Sequence, residues 1–384
     1  MILLVLGTLP RAAVLASTVR NGTAWDSAEA RSLDAYPLAK CLDGSPARYY
    51  LSKGNASRIF VFFEGGGFCQ NLSDCQARAA SYLGSTSQDP PSLVLDRPYF
   101  SRSPAASPLL SSFTIAYVRY CDGGYYSGDR ASPVAHNGSR LHFRGRRVLE
   151  AVFADLRLDE AAEVVVGGCS AGAIHVLAHL DAMRAMLPSA VRLTGLADSG
   201  FYMDNYELFT HLKRFVVAPS GQNATALLSP ECAAAFHTEP ERCLAAQRGA
   251  PFLQTPTFVW QSRFDLDQRS CELTPKCSAS STCVQSYARS LSSAIHEQLL
   301  ARRHGVLRAH GAFIDVCERH CDDGVRQMHN LTVDGATPLQ AFALWYGTQD
   351  QGTYTHTPNR TAHEINHSRH PRTLWEMPGG QAAC

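Results

Sequence analysis

An apolar run that ends in Gly168-Cys-Ser-Ala-Gly172 and passes without a break into a helical pattern leaves this chain few folds to choose from. Glu163 to Val166 is short, β-branched and apolar, the composition of a strand buried on both faces of a parallel sheet. The helical pattern Ala173–Leu187 begins directly after the turn. Glycine and alanine around Ser170 let the backbone reverse within two residues and leave the hydroxyl exposed at the bend. That is the G-x-S-x-G strand–turn–helix arrangement, and it makes Ser170 a candidate nucleophile. A serine used in this way needs oxyanion donors upstream and an acid and a histidine downstream.

The rest of the chain supplies a sheet around that turn. Lys40 to Leu51 reads as two short strands about an Asp-Gly-Ser-Pro turn. Arg58–Glu64 and Phe113–Arg119 read as further buried strands, and Arg147–Arg157 as a helix with apolar residues at helical spacing. Val191–Ala197 and Thr257–Gln261 continue the series. A helical insertion between Tyr206 and Pro251 is stapled by Cys232 and Cys243. A helix follows around Tyr287–Arg303, and Gly305–Ala309 reads as the last strand. Strands alternating with helices predict an α/β fold, a mostly parallel sheet with helices on both faces. One domain covering 33–346 is expected, with a poorly ordered tail over 347–384, rich in Pro, Gly, Thr, Asn and His.

Thirteen cysteines occur among the 384 residues. Their spacings lack the paired C-x-x-C knuckles of a structural zinc site, so disulfides in an oxidising compartment explain them better. Eight N-x-[ST] sequons, at Asn21, Asn55, Asn71, Asn137, Asn223, Asn330, Asn359 and Asn366, agree with secretion. Residues 1–16 read as a weak signal peptide, apolar but without a basic n-region. Cys169, beside the candidate nucleophile, is expected to be the odd, unpaired thiol. A net charge of +1 offers no reason to expect nucleic acid as a partner, and no window approaches the ~20 apolar residues of a membrane span. No cofactor and no metal are expected, and the chain is expected to be a monomer.

In the α/β-hydrolase layout the chain order is Ser, then Asp or Glu, then His, each near the carboxyl end of a strand. Asp265 follows the strand Thr257–Gln261, and His320 lies beyond the last strand, between Cys317 and Cys321. Asp198 is the rival acid and Asp267 a third choice. His175 and His179, on the helix after Ser170, read as structural. Glu64-Gly65-Gly66-Gly67 stands where an oxyanion loop belongs; the N–H groups of Gly66 and Gly67, with that of Ala171, are the candidate donors.

Five motifs in order then resemble one known family: Phe63-Glu-Gly-Gly-Gly-Phe-Cys69, Tyr120-Cys-Asp-Gly-Gly124, Gly167-Gly-Cys-Ser-Ala-Gly172, Gly195-Leu-Ala-Asp-Ser-Gly200 and Phe264-Asp-Leu-Asp-Gln268. Together they are similar to the pectin acetylesterase/Notum family, across roughly Leu33 to Tyr346. The resemblance implies an α/β-hydrolase variant and a secreted, metal-independent serine carboxylesterase. It also implies Ser170 as nucleophile, Asp265 as acid, His320 as base and Gly66, Gly67 and Ala171 as oxyanion donors. Phe68 stands where many members have tryptophan, and Ala173 where glycine is usual. The implied substrate is an acetylated polysaccharide such as pectin, with a lipidated protein as the alternative. An inactive binding protein on the same scaffold is the reading from a different class.

Overall fold

The computed structural model describes residues 27–204, 211–301, 309–321, 331–349 and 373–379. The expected leader, 1–16, lies outside them. Ten strands form one sheet: β1 (Ser27–Ser32), β2 (Arg48–Ser52), β3 (Asn55–Phe63), β4 (Ser92–Val94), β5 (Phe113–Val118), β8 (Glu163–Cys169), β9 (Arg192–Asp198), β10 (Thr257–Ser262), β11 (Gly311–Asp315) and β12 (Leu374–Glu376). A separate hairpin is made by β6 (Val134–His136) and β7 (Ser139–Leu141). The order across the sheet is β12-β11-β10-β9-β8-β3-β5-β2-β1-β4. From β5 to β12 every neighbouring pair is parallel, whereas β2, β1 and β4 add an antiparallel edge.

Two core layers flank the sheet, and the strands divide their side chains between them with period two. Ile59, Val61 and Phe63 of β3, with Val164 and Val166 of β8, face the layer that holds the helices Gly145–Asp155 and Ala171–Ala185. Phe60, Phe62 and Val165 face the opposite layer, closed by Phe342 and Trp345 of the helix Pro338–Thr348. Burying each such side chain stabilises by about 1.5–3 kcal/mol, so β3 and β8, covered on both faces, are the rigid centre. The chain beyond residue 211 supplies the insertion between β9 and β10, with the disulfide Cys232–Cys243 and the helix Pro230–Ala235.

Several expectations shift. Lys40 and Pro46 share only an isolated bridge, so Lys40–Leu51 contributes one strand, β2. The long helix starts earlier, at Ser281, and its last turns, Ile295–Leu300, are π-helical. Most of Gly305–Ala309 lies outside the described residues; the strand beside β10 is Gly311–Asp315, all of it buried. An arginine, Arg308, interrupts the earlier run, whereas Ala312, Phe313 and Ile314 can all be buried between two helical layers. Within the stretch expected as a loose tail, Leu374–Glu376 adds β12 to the sheet edge.

Candidate active site

Strand β8 delivers Ser170 at the carboxyl edge of the sheet. Its φ of 54° and ψ of −120° are sparsely populated for a residue with a Cβ. Such strain is held by surroundings that fix the chain on either side. The Ser170 N–H donates to the Asp198 carbonyl at 3.0 Å. A Cβ on Gly172 would come within 2.0 Å of the Phe63 carbonyl, and one on Gly65 within 2.8 Å of the Cys169 carbonyl and 3.0 Å of the Ser170 Cβ. Glycine at both positions lets the loop after β3 pack directly on the elbow.

That loop is fixed through its carbonyls. Arg78 Nη1 donates to the Gly66 carbonyl at 2.6 Å, and the Tyr120 hydroxyl donates to that of Gly67. Glu64, partly buried beneath, accepts from Arg119 and from the Tyr120 N–H. Burial pushes the Glu64 carboxyl upward, with the Arg119 charge pulling the other way. Among the described residues, the N–H groups of Gly65, Gly66, Gly67 and Ala171 donate to no protein acceptor. Donors left unspent beside a strained serine are the raw material of an oxyanion hole.

His320 is placed by the loop that follows β11. Its Nδ1 lies 2.8 Å from Asp265 Oδ1 and 3.0 Å from Oδ2. Asp265 is fully buried just past β10 and also caps the helix Leu266–Glu272, accepting from the Gln268 N–H. With Nδ1–H held by the carboxylate, Nε2 is the ring atom left for proton transfer. Burial opposes charge on the ring, yet the hydrogen bond to Asp265 and the charges of Asp265 and Asp267 prevail and raise its pKa above 6.5. Asp267 is on the other side of the ring, its Oδ2 3.9 Å from Nε2. Asp198, the rival acid, makes no bond to the imidazole and pairs instead with Arg319.

A disulfide between Cys169 and Cys321 joins the two halves: one half-cystine precedes Ser170, the other follows His320, and their Cα atoms are 5.7 Å apart. The expectation of a free Cys169 is therefore corrected. The free cysteine among the described residues is Cys271, and the remaining pairs described are Cys41–Cys121, Cys69–Cys75, Cys232–Cys243 and Cys277–Cys283. Among the described residues, no group of His, Cys, Asp or Glu is arranged to hold a metal ion.

Sequence reasoning did not find Arg319. Its guanidinium is fully buried and donates to Asp198 Oδ1 at 2.9 Å, Asp315 Oδ2 at 2.8 Å, Ser199 Oγ at 3.0 Å and the Cys321 carbonyl at 3.0 Å. It lies 4.7 Å from the Trp260 ring, whose Nε1 also donates to Asp315. The residue next to the imidazole thus ties its loop to β9, β10 and β11. Two strands ending in aspartate, with an arginine four residues beyond the second, are the signal that was available.

Behind the elbow, His175 and His179 are buried with their Nδ1 atoms 2.9 Å apart, and His175 meets the Phe63 ring edge to face. Burial lowers the pKa of both, that of His179 to about 3. A folded-state pKa depressed below an unfolded value near 6.5 gives stability that is full above pH 6.5 and is lost as pH falls. Relative to wild type, His179→Asn is expected to gain roughly 2 kcal/mol between pH 7.5 and pH 5, measured by urea unfolding at both pH values. A gap that stays constant would show that His179 does not stay neutral.

Comparison with known proteins now fits the geometry. The family model described as Pectinacetylesterase matches residues 31–368. The chain belongs to the pectin acetylesterase family. Pectin acetylesterase 11 of Arabidopsis thaliana is 29% identical over 315 residues, covering 74% of this chain and 77% of the relative. The palmitoleoyl-protein carboxylesterase NOTUM of Drosophila melanogaster is 27% identical over 373 residues, covering 91% of this chain and 52% of that protein. In structure, this pectin acetylesterase family member is similar to the Wnt deacylase Notum from Drosophila, with a TM-score of 0.73 and 25% identity over 85% of this chain and 95% of the other. The fold is α/β-hydrolase-like, and membership makes the chain a carboxylic ester hydrolase.

Proposed function

We propose that the protein is a secreted serine carboxylesterase that removes acetyl groups from pectin or a related acetylated polysaccharide. One observation carries this reading: a strained Ser170 is cross-linked, one residue away on each side, to an imidazole whose Nδ1 is held by a buried carboxylate. In this mechanism Ser170 Oγ attacks the acyl carbonyl while its proton passes to His320 Nε2, and Asp265 stabilises the imidazolium. The N–H groups of Gly66, Gly67 and Ala171 receive the oxyanion. Collapse of the tetrahedral intermediate breaks the ester bond, and Nε2 returns its proton to the departing alkoxide. Water then attacks the acyl-enzyme by the same route and releases the acid.

Secretion is supported by the disulfides and by the exposure of three sequon asparagines, Asn55, Asn71 and Asn137. Among the described residues, no helix is long and apolar enough to cross a membrane. The choice of an acetyl group is supported by the relatives named as pectin acetylesterases, and the structural likeness to Notum favours a long-chain acyl group on a protein as the second reading. Acetate release from acetylated pectin and other acetylated glycans, set against acyl release from a palmitoleoylated peptide, tests both. Faster release from the lipidated peptide would overturn the acetyl reading.

A further inference from the structure

Asp267 stands where the triad does not need a second carboxylate. Asp265 already occupies Nδ1 of His320, yet Asp267 Oδ2 lies 3.9 Å from Nε2, the ring atom that must return a proton to the leaving alcohol. Its position is set from below: the buried Tyr202 hydroxyl donates to Oδ2 at 2.7 Å, and the free thiol of Cys271 approaches the same oxygen at 3.8 Å. Among the described residues, no lysine or arginine pairs with it; Arg269, on the same helix, is taken by Glu318. Asp267 is nevertheless 45% exposed, which leaves an uncompensated negative charge at the edge of the site. Beside it the Tyr125 hydroxyl is buried without a hydrogen-bond partner, close enough to feel the charge of Asp267.

A leaving alcohol must bring its oxygen within hydrogen-bond reach of Nε2, so the atoms flanking that oxygen come within a few ångströms of Asp267. A neutral sugar can offer this carboxylate a neighbouring hydroxyl as donor. A uronate instead brings a second negative charge into a half-buried site, and like charges brought together without a counter-ion disfavour binding. Building on the esterase reading, we infer that Asp267 selects the alcohol half of the substrate, favouring acetyl esters of neutral sugars, or of uronates whose carboxyl is itself esterified, over acetyl esters of free uronates.

The test uses two probes that differ only at C6, a hydroxymethyl in one and a carboxylate in the other: a methyl galactopyranoside and the corresponding methyl galacturonate with its carboxyl free, each acetylated at the same hydroxyl. The wild-type protein is expected to favour the neutral ester by about tenfold in kcat/KM at low salt, narrowing as added salt screens the charges. In Asp267→Asn the ratio is expected to fall to within about twofold of unity, chiefly through a lower KM for the anionic ester. Equal rates on the two esters in the wild type, or an unchanged ratio in a folded Asp267→Asn, would overturn the inference, and the salt dependence needs no variant. Release from neither ester also overturns it. Labelling of Ser170 by a fluorophosphonate then tells whether the serine-esterase reading survives without it.

Discussion

Ser170→Ala is expected to lower kcat for a short activated acetyl ester by roughly 10⁴–10⁶-fold while leaving the protein folded. The size follows from the division of labour. Without the hydroxyl no acyl-enzyme forms, and only the oxyanion donors and substrate binding remain to assist attack by water. The fold should not notice, because the Ser170 side chain caps no helix and alanine tolerates the same backbone angles no worse than serine. Steady-state hydrolysis with melting curves on both proteins decides it, and turnover within tenfold of wild type would remove Ser170 from the mechanism.

The second large effect is on stability. Arg319→Met removes one cation and strands Asp198 and Asp315 in the core, and breaking a buried ion pair from one side costs about 3–5 kcal/mol. Burial already pushes the Asp198 carboxyl upward, with Arg319 acting against it. Without the guanidinium the stranded Asp198 carboxylate should bind a proton in the folded state above its unfolded pKa. Its penalty is then largest near neutral pH and fades as pH falls toward the unfolded carboxylate range. Chemical unfolding at pH 7.5 and pH 5 should therefore show a gap to wild type that narrows on acidification. A folded Arg319→Met should also lose turnover through kcat rather than KM, since the arginine acts on the histidine loop and not on substrate. A loss of under 1 kcal/mol at both pH values would mean that the network does not hold that loop.

What could be read from the sequence was local. The elbow and the apolar runs of β3, β8, β9 and β10 each lie within a few consecutive residues, where pattern and turn chemistry act. What escaped was non-local. Cys169 finds its partner 152 residues away, and nothing in its neighbours records which of the other cysteines that is. Arg319 reads as an ordinary charged loop residue until two strand ends converge on it. Two apolar runs of similar quality, Gly305–Ala309 and Gly311–Asp315, competed for the place beside β10, and the pattern of the sequence alone does not choose between them. β12, three residues long, is too short to show a period.

The bond between Cys169 and Cys321 also imposes an order on how a cell must make this protein. The elbow leaves the ribosome first, while the histidine, its arginine brace and β11 are still untranslated. Until they follow, Cys169 is a thiol without its mate, in a chain whose earlier cysteines Cys41, Cys69, Cys75 and Cys121 have already emerged. Premature oxidation in that interval would lock the serine to the wrong part of the molecule. On the proposed mechanism activity is therefore acquired late in synthesis, and yield from any host should depend on its capacity to reshuffle wrong disulfides.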